Sequence, residues 1–205
     1  SRLMKGKISK DWIDAYFEYG VDVNNRKVFL FTGVDEVSIG YVIKGLYLME
    51  AEITTAQRNA GDIPPIELFI GSFGGDEYEM WALYDVMRTL ESPVRTIAIG
   101  KCMSAAPLLV ACGQQGHRYA TPNTWFMVHQ GWGEDGEQRY DELKKNMKRQ
   151  DAMDKRWYEL MEAHTNKPAS FWKRHCDQPG DKYFSAYQAQ EWGLIDHVWD
   201  EKGGE

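Results

Sequence analysis

Apolar runs of strand length alternate with segments of helical periodicity along the first two thirds of the chain. Residues 28–33, 66–71 and 94–100 are rich in Val, Ile, Leu and Phe and are bounded by Gly or Pro, which predicts buried strands. The segments 37–51 and 78–90 place apolar side chains three and four positions apart, as a helix does. Their predicted inward faces are Ile39, Val42, Ile43, Leu46 and Met49, and Tyr78, Trp81, Ala82, Asp85, Val86 and Leu90. Strands alternating with helices predict an α/β fold with a parallel sheet, whose functional groups lie at the carboxyl ends of the strands.

A long charged segment, residues 141–163, predicts a projecting helix. Its Leu, Met and Trp residues are only approximately periodic, so two interpretations stay open. The segment is either a solvated surface helix or one that meets a partner subunit through its Met and Trp side chains. Beyond it, Ser185 and Gln188 predict a capping box, Gly193 a helix end, and residues 194–199 a final strand.

The composition limits the classes of function. A chain of 205 residues with 43% apolar content suffices for one core, so a single domain over residues 1–205 is expected. Its apolar stretches fall short of the ~20 residues of a membrane helix, and no membrane partner is expected. The net charge of −7, with basic residues scattered among acidic ones, argues against nucleic acid. Three cysteines without metal or CxxC spacing, and no visible secretory signal, predict a cytoplasmic protein.

Ser104 stands at the predicted junction of a strand and a helix. The strand 94–100 ends in a turn at Gly100, and Pro107 must lie in the first turn of the next helix because Pro breaks a helix interior. The helix is therefore predicted to begin at about Ser104. A serine at this corner lies among backbone N–H groups without intrahelical partners, which can stabilise an oxyanion. Close packing of the helix on the strand would also explain a small residue here.

His129 ends the predicted strand 124–129 and is the best candidate for a base. A serine hydroxyl is a weak nucleophile, which needs a base within hydrogen-bonding reach and a third group to orient that base. The alternative is a hydrogen-bonded histidine at a strand end, but the presence of Ser104 favours the base. Cys102 is a rival nucleophile, although such a residue is more often a small core thiol. The pairing of serine and histidine predicts a serine hydrolase.

The orienting acid and the oxyanion loop are less closely defined by the residues alone. Spacing leaves Asp177, Asp181 and Asp196 as candidate acids. Residues 71–75, Gly-Ser-Phe-Gly-Gly, follow a predicted strand, where glycine permits positive φ and close approach to a ligand. Either the amides of this segment hold an oxyanion and an extended substrate, or the paired glycines only make a tight turn.

Four segments in a fixed order carry a resemblance to a known family. They are the glycine segment 70–75, the nucleophile segment 100–113, the histidine segment 118–130 and the acidic segment 181–196. Over about residues 28–198 the chain resembles the ClpP family, the proteolytic subunits of the ATP-dependent Clp protease. It departs from the family pattern at Phe73, where proline is usual, at Cys102, where alanine is common, and at Ala105, where methionine is common.

The resemblance implies a role for each matching residue. Ser104 would be the nucleophile, His129 the general base and Asp181 the orienting acid. The oxyanion donors would be the backbone N–H of Ala105 and one from Gly74 and Gly75, with Gly75 favoured. The implied fold is α/β, a crotonase-like (ClpP-type) β-α spiral. A handle helix would project from about residues 130–165, and residues 1–27 would form a divergent N-terminal segment.

The resemblance also implies an activity and partners. The protein would be a serine endopeptidase that hydrolyses unfolded proteins or peptides inside a chamber of two stacked heptameric rings, a tetradecamer of this chain. An AAA+ unfoldase would be the partner that uses ATP, and the peptidase itself would need no cofactor and no metal. Two other functions stay open. One is a crotonase-type acyl-CoA enzyme, which uses acidic residues with an amide oxyanion hole, and the other is a catalytically silent ring subunit.

Overall fold

A computed structural model describes residues 9–131 and 139–199. Residues 1–8 of the predicted N-terminal segment, residues 132–138 of the predicted handle region and residues 200–205 of the predicted domain lie outside this part of the chain. The helices are α1 (Lys10–Tyr19), α2 (Glu36–Ala51), α3 (Thr55–Ala60), α4 (Glu77–Thr89), α5 (Ala106–Ala111), α6 (Tyr140–His164), α7 (Ala169–Asp177) and α8 (Ala186–Glu191). The strands are β1 (Val21–Asp22), β2 (Lys27–Leu30), β3 (Ile66–Ser72), β4 (Val94–Met103), β5 (Arg118–Ala120), β6 (Trp125–Val128), β7 (Lys182–Ser185) and β8 (His197–Val198).

One sheet connects these strands in the order β1-β2-β3-β4-β5-β8, and β6 and β7 continue from β4. The predicted parallel pairing is confirmed from β2 through β4 to β5 and β8. It is wrong for the pairs β1–β2 and β6–β7, which are antiparallel. Strand β4 is long enough to pair with β5 along its first half and with β6 along its second half. The sheet therefore turns into the crotonase-like α/β spiral.

Five helices in the described part of the chain, α1, α2, α3, α4 and α8, begin at residues whose side chains accept a backbone N–H. Asp35 and Ser38 form a capping box at α2, and the predicted box of Ser185 and Gln188 is confirmed at α8. Helix α1, capped by Ser9, is missing from the predictions, although Trp12, Ile13, Tyr16 and Phe17 recur at helical spacing. None of its residues is buried. These caps satisfy N–H groups that have no partner inside the helix.

The inward faces of α2 and α4 were predicted with different success. In α2, Ile39, Val42, Leu46 and Met49 are buried as predicted. In α4 the buried side chains are instead Met80, Leu83, Tyr84 and Met87, and the predicted Tyr78 is exposed. The buried residues of α4 also recur three and four positions apart, so spacing alone offers two sides, and the contacts of α4 with both α2 and α5 set which side is covered.

Helix α6, which forms most of the predicted handle region, has two dissimilar halves. Towards its carboxyl end, Trp157, Leu160 and Met161 are buried in the core of their own subunit. Towards its amino end, Leu143 and Met147 are exposed by 46% and 59%. Neither interpretation describes the carboxyl half, where Trp157 packs in the core, and both stay open for the amino half, where Leu143 and Met147 are exposed.

Candidate active site

The nucleophile candidate Ser104 lies in a tight turn between β4 and α5. Its φ is 58°, a left-handed conformation that residues with a Cβ rarely adopt. The Ser104 N–H donates to the carbonyl of Met127 on β6 at 2.8 Å, which fixes the turn to the sheet. Pro107 lies in the first turn of α5, as predicted, but the helix begins at Ala106, since a left-handed residue cannot belong to it.

His129 follows β6 directly, and its ring reaches the serine. The two atoms of this contact, His129 Nε2 and Ser104 Oγ, are 2.7 Å apart. The pairing of β4 with β6 explains it, because Met103 and Met127 are register partners and both strands end at the same edge. A base at this distance can accept the hydroxyl proton of a serine.

Two of the three candidate acids have other charged partners. Asp196 accepts hydrogen bonds from the buried Arg118, with Nη2 at 2.8 Å and Nε at 2.9 Å from its carboxylate oxygens. Burial by itself would raise the pKa of Asp196, but the hydrogen bonds and charge of Arg118 lower it. Asp177 accepts from Lys173 on the surface of α7. The Asp196 carboxylate therefore has a structural role, whereas the Asp177 carboxylate forms an ion pair on the surface.

Asp181 lies beside the histidine in the sheet register. Lys182 on β7 is the antiparallel partner of Val128 on β6. Continued by one residue, this register would set Asp181, which precedes β7, opposite His129, which follows β6. The Asp181 side chain is exposed, and the Tyr183 hydroxyl lies 3.5 Å from it. Of the three acids, Asp181 has the position from which a carboxylate could orient the imidazole.

The glycine segment packs against the nucleophile turn. Gly74 has φ 90°, and a Cβ there would lie 2.6 Å from Ser104 Cβ and 2.8 Å from the Ala105 nitrogen. The Gly74 carbonyl accepts from Val34 N–H at 2.9 Å. Because the N–H and C=O of a trans peptide point in opposite directions, the Gly75 N–H is directed away from Val34. The segment is thus both a tight turn and a neighbour of the serine.

A cavity of about 310 Å³ opens beside the Ser104–His129 pair. The residues of its wall that matter for chemistry are Gly75, Glu77, Ser104, His129, Gln150 and Asp154. Three of them, Glu77, Gln150 and Asp154, were missed from the sequence. The position of Glu77, two residues after the glycine segment, is a signal that could have found it, whereas Gln150 and Asp154 carry no signal that separates them from other polar residues of α6.

The rival nucleophile Cys102 is excluded by its surroundings. It lies on β4, is fully buried and belongs to the hydrophobic core. Burial raises the pKa of its thiol well above the ordinary value, so the reactive thiolate is disfavoured.

Among the described residues, no helix is long and apolar enough to cross a membrane.

A serine in a left-handed turn, a histidine in contact with it and glycine amides nearby, all on an α/β spiral, define a serine hydrolase. The chain belongs to the Clp protease family, whose model matches residues 10–202. Relatives of the chain are named as proteolytic subunits of the ATP-dependent Clp protease, and the chain is accordingly a serine peptidase.

Three relatives illustrate the similarity. The chain is 30% identical to ATP-dependent Clp protease proteolytic subunit 1 of Salinibacter ruber, over 91% of this chain and 76% of the relative. It is 31% identical to proteolytic subunit 2 of Corynebacterium jeikeium, over 85% of this chain and 79% of the relative. It is also 31% identical to proteolytic subunit 2 of Frankia casuarinae, over 88% and 81%.

Proposed function

We propose that this chain is a serine endopeptidase in which Ser104 is the nucleophile, His129 the general base and Asp181 the orienting acid. The observation that carries the proposal is the 2.7 Å contact between Ser104 Oγ and His129 Nε2. Serine needs such a partner because its own hydroxyl is almost wholly protonated at neutral pH.

The reaction follows from these positions. Ser104 Oγ bonds to the scissile carbonyl carbon while its proton passes to His129 Nε2, and the carbonyl oxygen becomes an oxyanion. The backbone N–H groups of Ala105 and Gly75 donate to that oxyanion. His129 then gives the proton to the leaving amine as the carbon–nitrogen bond breaks, and water, activated by the same imidazole, releases the acyl group from the serine. Asp181 holds the imidazole in the required tautomer.

The substrates and partners extend the proposal. Unfolded proteins or peptides are the substrates, two stacked heptameric rings of this chain enclose them, and an AAA+ unfoldase supplies them at the expense of ATP. The relatives' names, which describe proteolytic subunits of an ATP-dependent protease, support this assembly. So do the exposed Leu143 and Met147 of the handle helix. We place the protein in the cytoplasm as a single domain over residues 1–205. Peptide hydrolysis would use the protein's own side chains and backbone amides.

The two alternative functions are not favoured. A crotonase-type acyl-CoA enzyme shares the spiral, but the relatives found are peptidase subunits. A silent ring subunit has no need of a serine held in a left-handed turn against a histidine.

Reaction with a fluorophosphonate probe tests the proposed nucleophile. We expect the probe to label the protein at Ser104, and Ser104→Ala to abolish labelling and to lower peptide turnover by ~10⁶-fold. Ser170→Ala removes an exposed serine on α7 and should leave both unchanged. Peptide turnover that survives in Ser104→Ala would contradict the mechanism.

A further inference from the structure

The cavity beside Ser104 is lined by more acidic than basic side chains. Of the described residues that line it, Asp76, Glu77 and Asp154 carry carboxylates, and Arg149 carries a cation. Because the carboxylates outnumber the cation, the lining has an excess of negative charge. Arg149 is exposed, whereas Glu77 and Asp154 are only partly accessible to solvent.

Glu77 and Asp154 are held in place by one shared amide. The Gln150 side-chain N–H₂ donates to Glu77 Oε2 at 3.0 Å and to Asp154 Oδ1 at 2.9 Å. Asp154 also accepts from the backbone N–H of Gly131, two residues beyond the histidine. The two carboxylates therefore converge from α4 and α6 on one point of the cavity wall.

These carboxylates are incompletely solvated, although they are hydrogen-bonded. Burial raises the pKa of both Glu77 and Asp154, and the hydrogen bond from Gln150 opposes this only in part. A carboxylate has about four acceptor positions, so each group can accept further donors. An apolar side chain in the cavity would remove water from two negative charges and leave them without compensation, which is costly. An ammonium or guanidinium group would supply both donors and charge.

We propose that this cavity is the specificity pocket for the substrate residue whose carbonyl Ser104 attacks, and that it selects lysine or arginine through Glu77 and Asp154. The inference rests on the proposed function, because only a substrate bound at Ser104 would place a side chain in this cavity. It adds to that function a preference for cleavage after basic residues.

Peptides that differ at one position test the preference. We would compare fluorogenic peptides that carry lysine, norleucine or glutamate before the scissile bond, because norleucine has a similar aliphatic chain without the ammonium group. We expect kcat/KM to be at least tenfold higher for lysine than for norleucine, and lowest for glutamate. Equal or higher kcat/KM for norleucine would overturn the inference.

Neutral substitutions assign the preference to particular residues. Glu77→Gln and Asp154→Asn keep acceptors for the Gln150 amide, and each should lower the lysine-to-norleucine ratio about tenfold. The matched control Glu79→Gln, on the same turn of α4 but outside the cavity lining, should leave the ratio unchanged. If Glu77→Gln and Asp154→Asn lower kcat/KM equally for every peptide, these residues only position the loop after His129 and the inference fails.

A binding measurement separates this inference from the proposed catalysis. In Ser104→Ala, fluorescence anisotropy would give the affinity of the same lysine and norleucine peptides without turnover. Tighter binding of the lysine peptide supports the acidic pocket, and equal binding refutes it. Whether fluorophosphonate labels the unsubstituted protein independently decides the role of the serine.

Discussion

Ser104 combines a left-handed backbone conformation with the side chain that is proposed to react. A left-handed conformation costs a residue with a Cβ roughly 1–2 kcal/mol, and only the surrounding structure can maintain it. Here the hydrogen bond to Met127 and the adjacent Gly74 hold the turn. The strain places the hydroxyl outside the helix and within reach of His129.

The role of Asp181 can be separated from a structural one by substitution. Asp181→Asn should lower kcat by ~10²–10⁴-fold, because an amide does not stabilise the imidazolium and can favour the wrong tautomer. Since Asp181 is exposed, the unfolding temperature should stay within a few degrees of the original protein. Peptide turnover and thermal unfolding measured on the same preparation check both expectations.

Asp177→Asn is the matched control for that substitution. It neutralises a carboxylate whose partner is Lys173 on the surface of α7, so neither kcat nor unfolding should change noticeably. If both variants retain full turnover, another group orients His129.

At the scale of elements, the site forms where two turns contact each other. The turn from β3 to α4 contains Gly74, and the turn from β4 to α5 contains Ser104. Strands β3 and β4 are register partners with an irregularity near their ends, where Ser72 lies opposite Cys102. The paired strands therefore bring both turns to one edge, and the absence of a side chain at Gly74 permits the contact.

Substitution of Gly74 should remove reactivity through this contact. In Gly74→Ala the new Cβ would overlap Ser104 and the Ala105 amide, displacing both the nucleophile and an oxyanion donor. Loss of such a donor alone costs ~10²–10³-fold in rate, so we expect labelling by fluorophosphonate to slow at least 100-fold.

Gly61→Ala supplies the comparison. Gly61 has φ 66°, so alanine is strained there as well, but its Cβ would meet nothing within 4 Å. Both variants should lose some stability, while only Gly74→Ala should lose labelling. Equal rates of labelling would show that the two turns adapt to one another.

At the scale of the whole molecule, a half-buried histidine links stability to pH. His164, at the end of α6, accepts or donates a hydrogen bond at 2.8 Å with the Tyr84 hydroxyl. Burial, with smaller contributions from the charges of Arg88 and Arg118, lowers its pKa to about 4. Between that value and the ordinary pKa of about 6.5 the unfolded chain binds more protons, so stability falls as the pH falls through this window.

We expect the unfolding temperature to decrease between pH 7 and pH 4.5. His164→Gln, which keeps a hydrogen-bonding group for Tyr84 but does not titrate, should reduce that decrease by a few degrees, corresponding to on the order of 1–2 kcal/mol. Part of the decrease should remain, because burial lowers the pKa of His175 too. Thermal unfolding across this pH range checks the expectation, and an identical decrease in both proteins would contradict it.

The exposed amino half of α6 is the surface on which the proposed assembly of subunits can be tested. Leu143 and Met147 lie one turn apart on α6, and Tyr140 extends the same side, 77% exposed. If this surface joins subunits, Leu143→Glu with Met147→Glu should lower the solution mass measured by light scattering. Lys144→Glu with Lys148→Glu changes the charge by twice as much on a neighbouring side and should preserve the mass. Loss of the assembly in both variants would indicate a general effect of charge.

The sequence by itself determined several of the elements and the residue types of the predicted catalytic pair. Apolar spacing predicted α2, β3 and the first part of β4, and the capping box at Ser185 was correct, because these signals depend on neighbours within a few positions. The predicted turn at Gly100 was wrong, since β4 continues to Met103, where it pairs with β6. The same local signals pointed to Ser104 and His129 at the ends of their elements.

Only the tertiary structure decided which distant groups meet. Ser104 and His129 come together because β4 and β6 pair in one particular register. The same sheet brings Asp196 into an ion pair with Arg118. Glu77 and Asp154 line one cavity because α6 crosses the start of α4. Spacing along one segment specifies which side chains share a face, but the packing between segments determines what that face contacts.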